Sequence, residues 1–87
     1  MEIDLSYNQI RDKRAEAIAY YLISNATIES LYLNRNHISD KGMEAFAQAL
    51  ASNTVLETLY LINNQIGERG KKALYGLGLR YGCKIRR

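Results

Sequence analysis

The sequence predicts an α/β protein built from one repeated strand–helix unit, with parallel strands on one side and parallel helices on the other. Three observations predict it. A shift of 28 residues lays Ile28, Leu31, Tyr32, Leu33, Asn36, Ile38, Gly42 and Ala45 on Leu56, Leu59, Tyr60, Leu61, Asn64, Ile66, Gly70 and Ala73. The same shift backwards brings Ile3, Leu5, Asn8 and Ile10 under Leu31, Leu33, Asn36 and Ile38, and Leu22 and Asn25 under Leu50 and Asn53. Within each unit the apolar spacing passes from period two to a helical period. A fixed period in this range marks a stacked repeat architecture.

Each unit reads L-x-x-L-x-L-x-x-N-x-I, then a helical half, then an Asn before the next unit. This pattern resembles the leucine-rich repeat family, in its ribonuclease-inhibitor-like subclass of 28- to 29-residue repeats. The resemblance covers essentially all 87 residues. It implies a short right-handed solenoid, with the strands on a concave face and the helices on a convex one. It also implies that Asn8, Asn36 and Asn64 form a ladder of buried amides bonded to the backbone of adjacent turns. The chain leaves each strand sharply there, and its backbone groups need partners inside.

The whole chain reads as a single domain, 1–87. Repeat 1 is residues 1–27. Ile3 and Leu5 alternate with Glu2, Asp4 and Ser6 as in a half-buried strand. Asp12 stands as the cap of a helix whose apolar face holds Ala15, Ala17, Ile18, Tyr21 and Leu22. Arg14 occupies the position of Gly42 and Gly70, so the start of this helix is expected to differ. Repeat 2, residues 28–55, has the strand ESLYL and a helix after Asp40 that buries Ala45, Phe46, Ala49 and Leu50. Repeat 3, residues 56–84, has the strand ETLYL and a helix from about Arg69. Gly76 and Gly78 each cost a helix interior ~1 kcal/mol relative to Ala, so this helix should be the weakest or the shortest. Aligning Ile85 with Leu56 requires one inserted residue, and 85–87 then begin an incomplete fourth strand.

Charge is distributed along the repeat axis. Residues 1–68 hold five Lys/Arg and all nine acids, net −4, while residues 69–87 hold seven Lys/Arg and no acid, net +7. No apolar run approaches the ~20 residues of a membrane span, so no membrane partner is expected. The first residues lack a basic stretch followed by an apolar core, and Cys83 is the single cysteine. These features point to a cytoplasmic setting, or to a fragment of a longer chain. Neither end shows a polar cap, which leaves homo-oligomerisation through the ends as an alternative role.

No residue set supports catalysis. His37 is the only histidine and aligns with Gln9 and Gln65 in a turn. One His and one Cys do not make a metal site, and no glycine-rich phosphate loop opens a helix, so no cofactor is expected. Asn25-Ala26-Thr27 is a glycosylation sequon, but Asn25 matches Asn53 and has a structural explanation. The basic end interleaves no aromatic residues in a nucleic-acid motif and reads as a solvated surface. The strand positions that point away from the core remain. They are Glu2, Asp4, Ser6, Tyr7, Ser30, Tyr32, Asn34, Arg35, Thr58, Tyr60, Ile62 and Asn63. Among them Asp4, Tyr7, Tyr32, Asn34, Arg35, Tyr60, Ile62 and Asn63 are the candidate contacts for a protein partner, since Tyr and Arg anchor many interfaces. Tyr also favours strands for its own packing, which is the other reading of the same residues. The resemblance implies a non-enzymatic protein-binding module.

Overall fold

The computed structural model describes residues 1–81 and 84–86, with side chains described for residues 1–74. Strands and helices alternate: β1 (Glu2–Asp4), α1 (Arg11–Leu22), β2 (Ser30–Tyr32), α2 (Asp40–Ser52), β3 (Thr58–Tyr60), α3 (Glu68–Tyr81) and β4 (Lys84–Arg86). The four strands form one sheet in sequence order, every pair parallel. Ile3 lies opposite Leu31, and Leu31 opposite Leu59, as the 28-residue shift requires. Parallel neighbours need a crossover between them, and each helix supplies one.

The core lies between sheet and helices. Leu31, Leu33, Leu59 and Leu61 enter it from the strands and the turns that follow them. Ala15, Ala19, Leu22, Met43, Phe46, Ala49, Leu50 and Leu74 meet them from the helices. Small residues on α1 and α2 let the helices sit close to one another and to the sheet. Helix α2 packs between α1 and α3.

Ala45, expected to be buried on α2, is only partly so, and three features of the elements differ from the sequence reading. The helix with two glycines is not the shortest: α3 has 14 residues, against 12 in α1 and 13 in α2. Glycine weakens a helix locally, but most helical stability in a folded chain comes from packing, and α3 runs along α2. The fourth strand forms, but Ile85 lies opposite Leu59 and not three residues earlier, opposite Leu56. The connection into β4 is shorter than the earlier ones, which are folded around Asn25 and Asn53; no Asn stands between α3 and β4. Finally, α1 buries Ala15, Ala19 and Leu22, while Ala17 and Tyr21 are exposed. Among the described residues α1 packs against one helix, α2, which leaves part of its apolar face uncovered. Ala17, Ile18 and Tyr21 line an open apolar depression there together with Met1, Ile3 and Leu5. The packing expected of Cys83 in the last turn, and of Arg87 in the fourth strand, lies outside the described residues.

Candidate protein-binding face

Two sets of side chains share the strand–turn region, one turned inward and one outward. The inward set is the asparagine ladder. Asn36 is fully buried. Its Oδ1 accepts from the Asn8 N–H at 2.8 Å and the Ile10 N–H at 3.2 Å, while its Nδ2 donates to the Leu5 carbonyl at 2.9 Å. Asn64 repeats the pattern one unit on. Its Oδ1 accepts from the N–H groups of Asn36 and Ile38, and its Nδ2 donates to the Leu33 carbonyl. Each asparagine therefore satisfies the backbone of the turn before its own. Asn8 is exposed, and its Nδ2 donates only within its own turn, to Leu5 and Ser6. Asn64, expected to be buried, is only half-buried, so the motif position alone does not bury the amide: Asn36 has a described turn on each side, whereas Asn8 and Asn64 each have one on a single side.

A second ladder links the helix starts. Asp12 lies inside α1 and does not cap that helix; Ile10 is at the cap position and makes no side-chain bond there. Instead Asp12 Oδ1 accepts from the Ser39 N–H at 2.7 Å and the Gly42 N–H at 3.2 Å, and Oδ2 accepts from the Ser39 hydroxyl. A carboxylate from one repeat thus caps the helix of the next, where unpaired N–H groups and the helix dipole favour negative charge. Burial works against ionisation of Asp12, but the bonds from Ser39 and Gly42 and the charge of Lys41 outweigh it and hold the carboxyl below its usual range. Asp40, likewise inside α2, does the same for α3 through Gly67 and Gly70. The glycines are required by this approach. A Cβ on Gly42 would lie 2.6 Å from Ile38 Cγ2 and 2.8 Å from Asp12 Oδ1. The recurrence of Asp12, Asp40 and Gly42, Gly70 at one spacing was the available signal, but it does not say which helix is capped.

The outward set is the open face of the sheet. Tyr32 and Tyr60 stack with ring centroids 4.6 Å apart and planes 6° from parallel, set by the one-strand register between them. Both are half-buried. Burial first, then the charges of Glu2, Tyr60 and Asp4, raise the Tyr32 phenol, which stays neutral. Asp4 shares their row and is exposed. Its carboxyl accepts from the Ser6 N–H at 2.9 Å and is held below the usual range by the Ser6 backbone and then its hydroxyl.

Beyond the strands, Tyr7, Arg35 and Asn63 take the left-handed conformation, with φ of 65°, 54° and 62°. Only Asn among these types adopts it readily, so the turn imposes it on Tyr7 and Arg35. The conformation carries Arg35 over the ring of Tyr7, 5.5 Å from its centroid. Tyr7, Gln9, Arg35, His37 and Asn63 together line a shallow depression. Ile62 is exposed beside them. Asn34 is half-buried and less available than its strand position suggests. Its Oδ1 accepts from the Ile62 N–H at 2.8 Å, and its own N–H donates to Ser6 Oγ at 3.1 Å, a short ladder that the sequence did not reveal.

The helix side carries mutually paired charge, with Arg69 3.2 Å from Glu44. Among the described residues no group of three His, Cys, Asp or Glu is placed to hold a metal ion, and no helix is long and apolar enough to cross a membrane. Residues 1–19 and 24–47 match the family model described as Leucine Rich repeat. No curated protein matches the chain.

Proposed function

We propose that this chain, whose matched segments are leucine-rich repeats, is a non-enzymatic module that binds a protein partner on the open face of its sheet. Leucine-rich repeats generally mediate protein–protein interaction. In this reading the repeats follow the ribonuclease-inhibitor-like pattern and wind as a right-handed solenoid in the cytoplasm, with the sheet on the concave side.

The observation that carries the proposal is the Tyr32–Tyr60 stack. Neither ring belongs to the core, and each is held in one orientation by the other. Rigid aromatic surface flanked by an acid, an Arg and amides suits a hot spot, because little side-chain entropy remains to be lost on binding. Asp4 borders the stack on one side, and the Arg35–Tyr7 pair lies at the turn beyond it. Asn63 and Ile62 extend the surface, and Asn34 contributes from behind its backbone bonds.

The test compares the two sides of the molecule. Against any protein ligand selected on the wild-type chain, the double variant Tyr32→Ala/Tyr60→Ala should lose at least ~30-fold in affinity, the lower bound for a hot-spot residue. Its circular dichroism melt should stay cooperative. Glu16→Ala and Glu44→Ala, on the helix side, should bind within about 2-fold of wild type. Ligands that respond to the helix-side variants and ignore the tyrosines would refute the open-face reading.

A further inference from the structure

The two outer strands of the described sheet carry opposite charges at matching positions. The register runs Glu2, Ser30, Thr58, Lys84 in one row and Asp4, Tyr32, Tyr60, Arg86 in another. Between them runs Ile3, Leu31, Leu59, Ile85. The sequence of β1 is thus acid–Ile–acid, and that of β4 is base–Ile–base.

Among the described residues no strand pairs with the outer edge of β1. Its inner edge pairs with β2: the Met1 carbonyl accepts from Glu29 and Ser30, and the N–H groups of Leu5 and Tyr7 donate to Tyr32 and Asn34. Backbone groups alternate along a strand, so those of Glu2 and Asp4 face the outer edge. An unpaired edge of this kind accepts another strand. Beneath it Ile3, Leu5 and Ile18, partly buried against the core, line an open apolar depression with Ala17 and Tyr21.

We propose that this chain associates head to tail with a second copy of itself, β4 of one copy adding in parallel to the outer edge of β1 of the next. Continuing the existing register by one strand sets Lys84 opposite Glu2, Ile85 opposite Ile3 and Arg86 opposite Asp4. Opposite charges directly across a strand pair are favourable, and like charges are not. That decides between the ways two edges can meet. An antiparallel β1–β1 pairing sets Glu2 against Asp4, and a β4–β4 pairing sets Lys84 against Arg86. Both oppose like charges, so the two-fold arrangements are disfavoured and the heterologous one is selected. A heterologous contact repeats at each new end, and the assembly grows with concentration and does not stop at a dimer. The association shares Asp4 with the border of the open face and leaves the Tyr32–Tyr60 stack free for a partner. It would align those faces along one side of the array and add multivalency to any single binding event.

Sedimentation of the full chain tests this with two charge-reversed variants, Glu2→Lys/Asp4→Arg and Lys84→Glu/Arg86→Glu. At low salt the wild type is expected to sediment as a concentration-dependent series above the 9.9 kDa monomer and to revert towards monomer at high salt. Each variant alone should remain monomeric, because both of its outer strands carry one sign. Mixed together, the two variants should assemble, since each outer strand then finds its opposite on the other protein. A wild type that stays monomeric at low salt and high concentration overturns the proposal. So does a wild-type dimer that only the β1 variant dissociates, which would mark a two-fold contact through the first repeat. Circular dichroism accompanies each variant. If a reversal unfolds the chain, the salt dependence of the wild type decides: assembly unaffected by salt contradicts a contact made by charged edges.

Discussion

Asn8 and Asn36 hold the same position in successive repeats, yet Asn36 has no solvent exposure and Asn8 is exposed. The same contrast runs through the rest of the two units. Gly42 sits against the Asp12 carboxylate, and Arg14 stands at the matching position of the first repeat. Ser39 enters α2 from an extended conformation with φ of −108°, while the matching Arg11 has φ of 62°. Leu33 is buried, and Leu5 only partly. Repeat 2 has neighbours on both sides; among the described residues repeat 1 has one. The environment of a motif residue is made as much by the adjacent repeat as by its own, which is the physical content of a quasi-one-dimensional fold.

The largest expected effect that would sharpen this contrast comes from crowding one junction. Gly42→Ala places a Cβ against Ile38 and the Asp12 carboxylate, and overpacking of this kind costs ~1–3 kcal/mol. Arg14→Ala, at the exposed counterpart, should shift stability by less than ~0.5 kcal/mol. Urea unfolding of both variants measures the difference. Equal midpoints would mean that the junction relaxes around the added methyl and that the glycine is not needed for the cap.

A smaller effect is expected from the cap itself. Asp12→Ala should cost ~0.5–2 kcal/mol, the ordinary value of a helix cap, and the loss should appear in α2 although the residue belongs to α1. Its pH dependence follows from the lowered carboxyl. In the unfolded chain the group titrates at its ordinary value of 3.8. With the folded value below that, the contribution is complete above the unfolded value and is lost as pH falls through the folded one. Stability of the wild type should therefore decline more steeply than that of Asp12→Ala below about pH 4. Parallel slopes in acid would remove Asp12 as a charged cap.

The period, the strand register of the first three strands and most of the core were legible in the sequence, because they follow from spacing alone. Leu31 opposite Leu59 is a consequence of 28-residue identity and needs no tertiary information. Two kinds of feature were not legible. One is direction across a junction: Asp12 reads as a local cap, and only the structure shows that it reaches Ser39 and Gly42 in the next unit. The other is what the ends do. Asn8, Ala17 and Tyr21 match buried positions by motif or by helical face and are exposed, since periodicity describes a residue's place in its own repeat and not the presence of a neighbour. On the open face, the tyrosine pair followed from register. The Arg35–Tyr7 contact did not, because it depends on left-handed turns that neither residue type favours.

Amide hydrogen exchange in Asn36→Ala tests most directly the claim that each repeat is completed by the next. Asn36 Oδ1 holds the N–H groups of Asn8 and Ile10, whereas the N–H groups at positions 36 and 38 are held by Asn64. The substitution removes the first pair of bonds and leaves the second in place. Protection is expected to fall at Asn8 and Ile10, one repeat away from the mutation, and to persist at residues 36 and 38. Loss confined to residues 36 and 38, with Asn8 and Ile10 still protected, would contradict it.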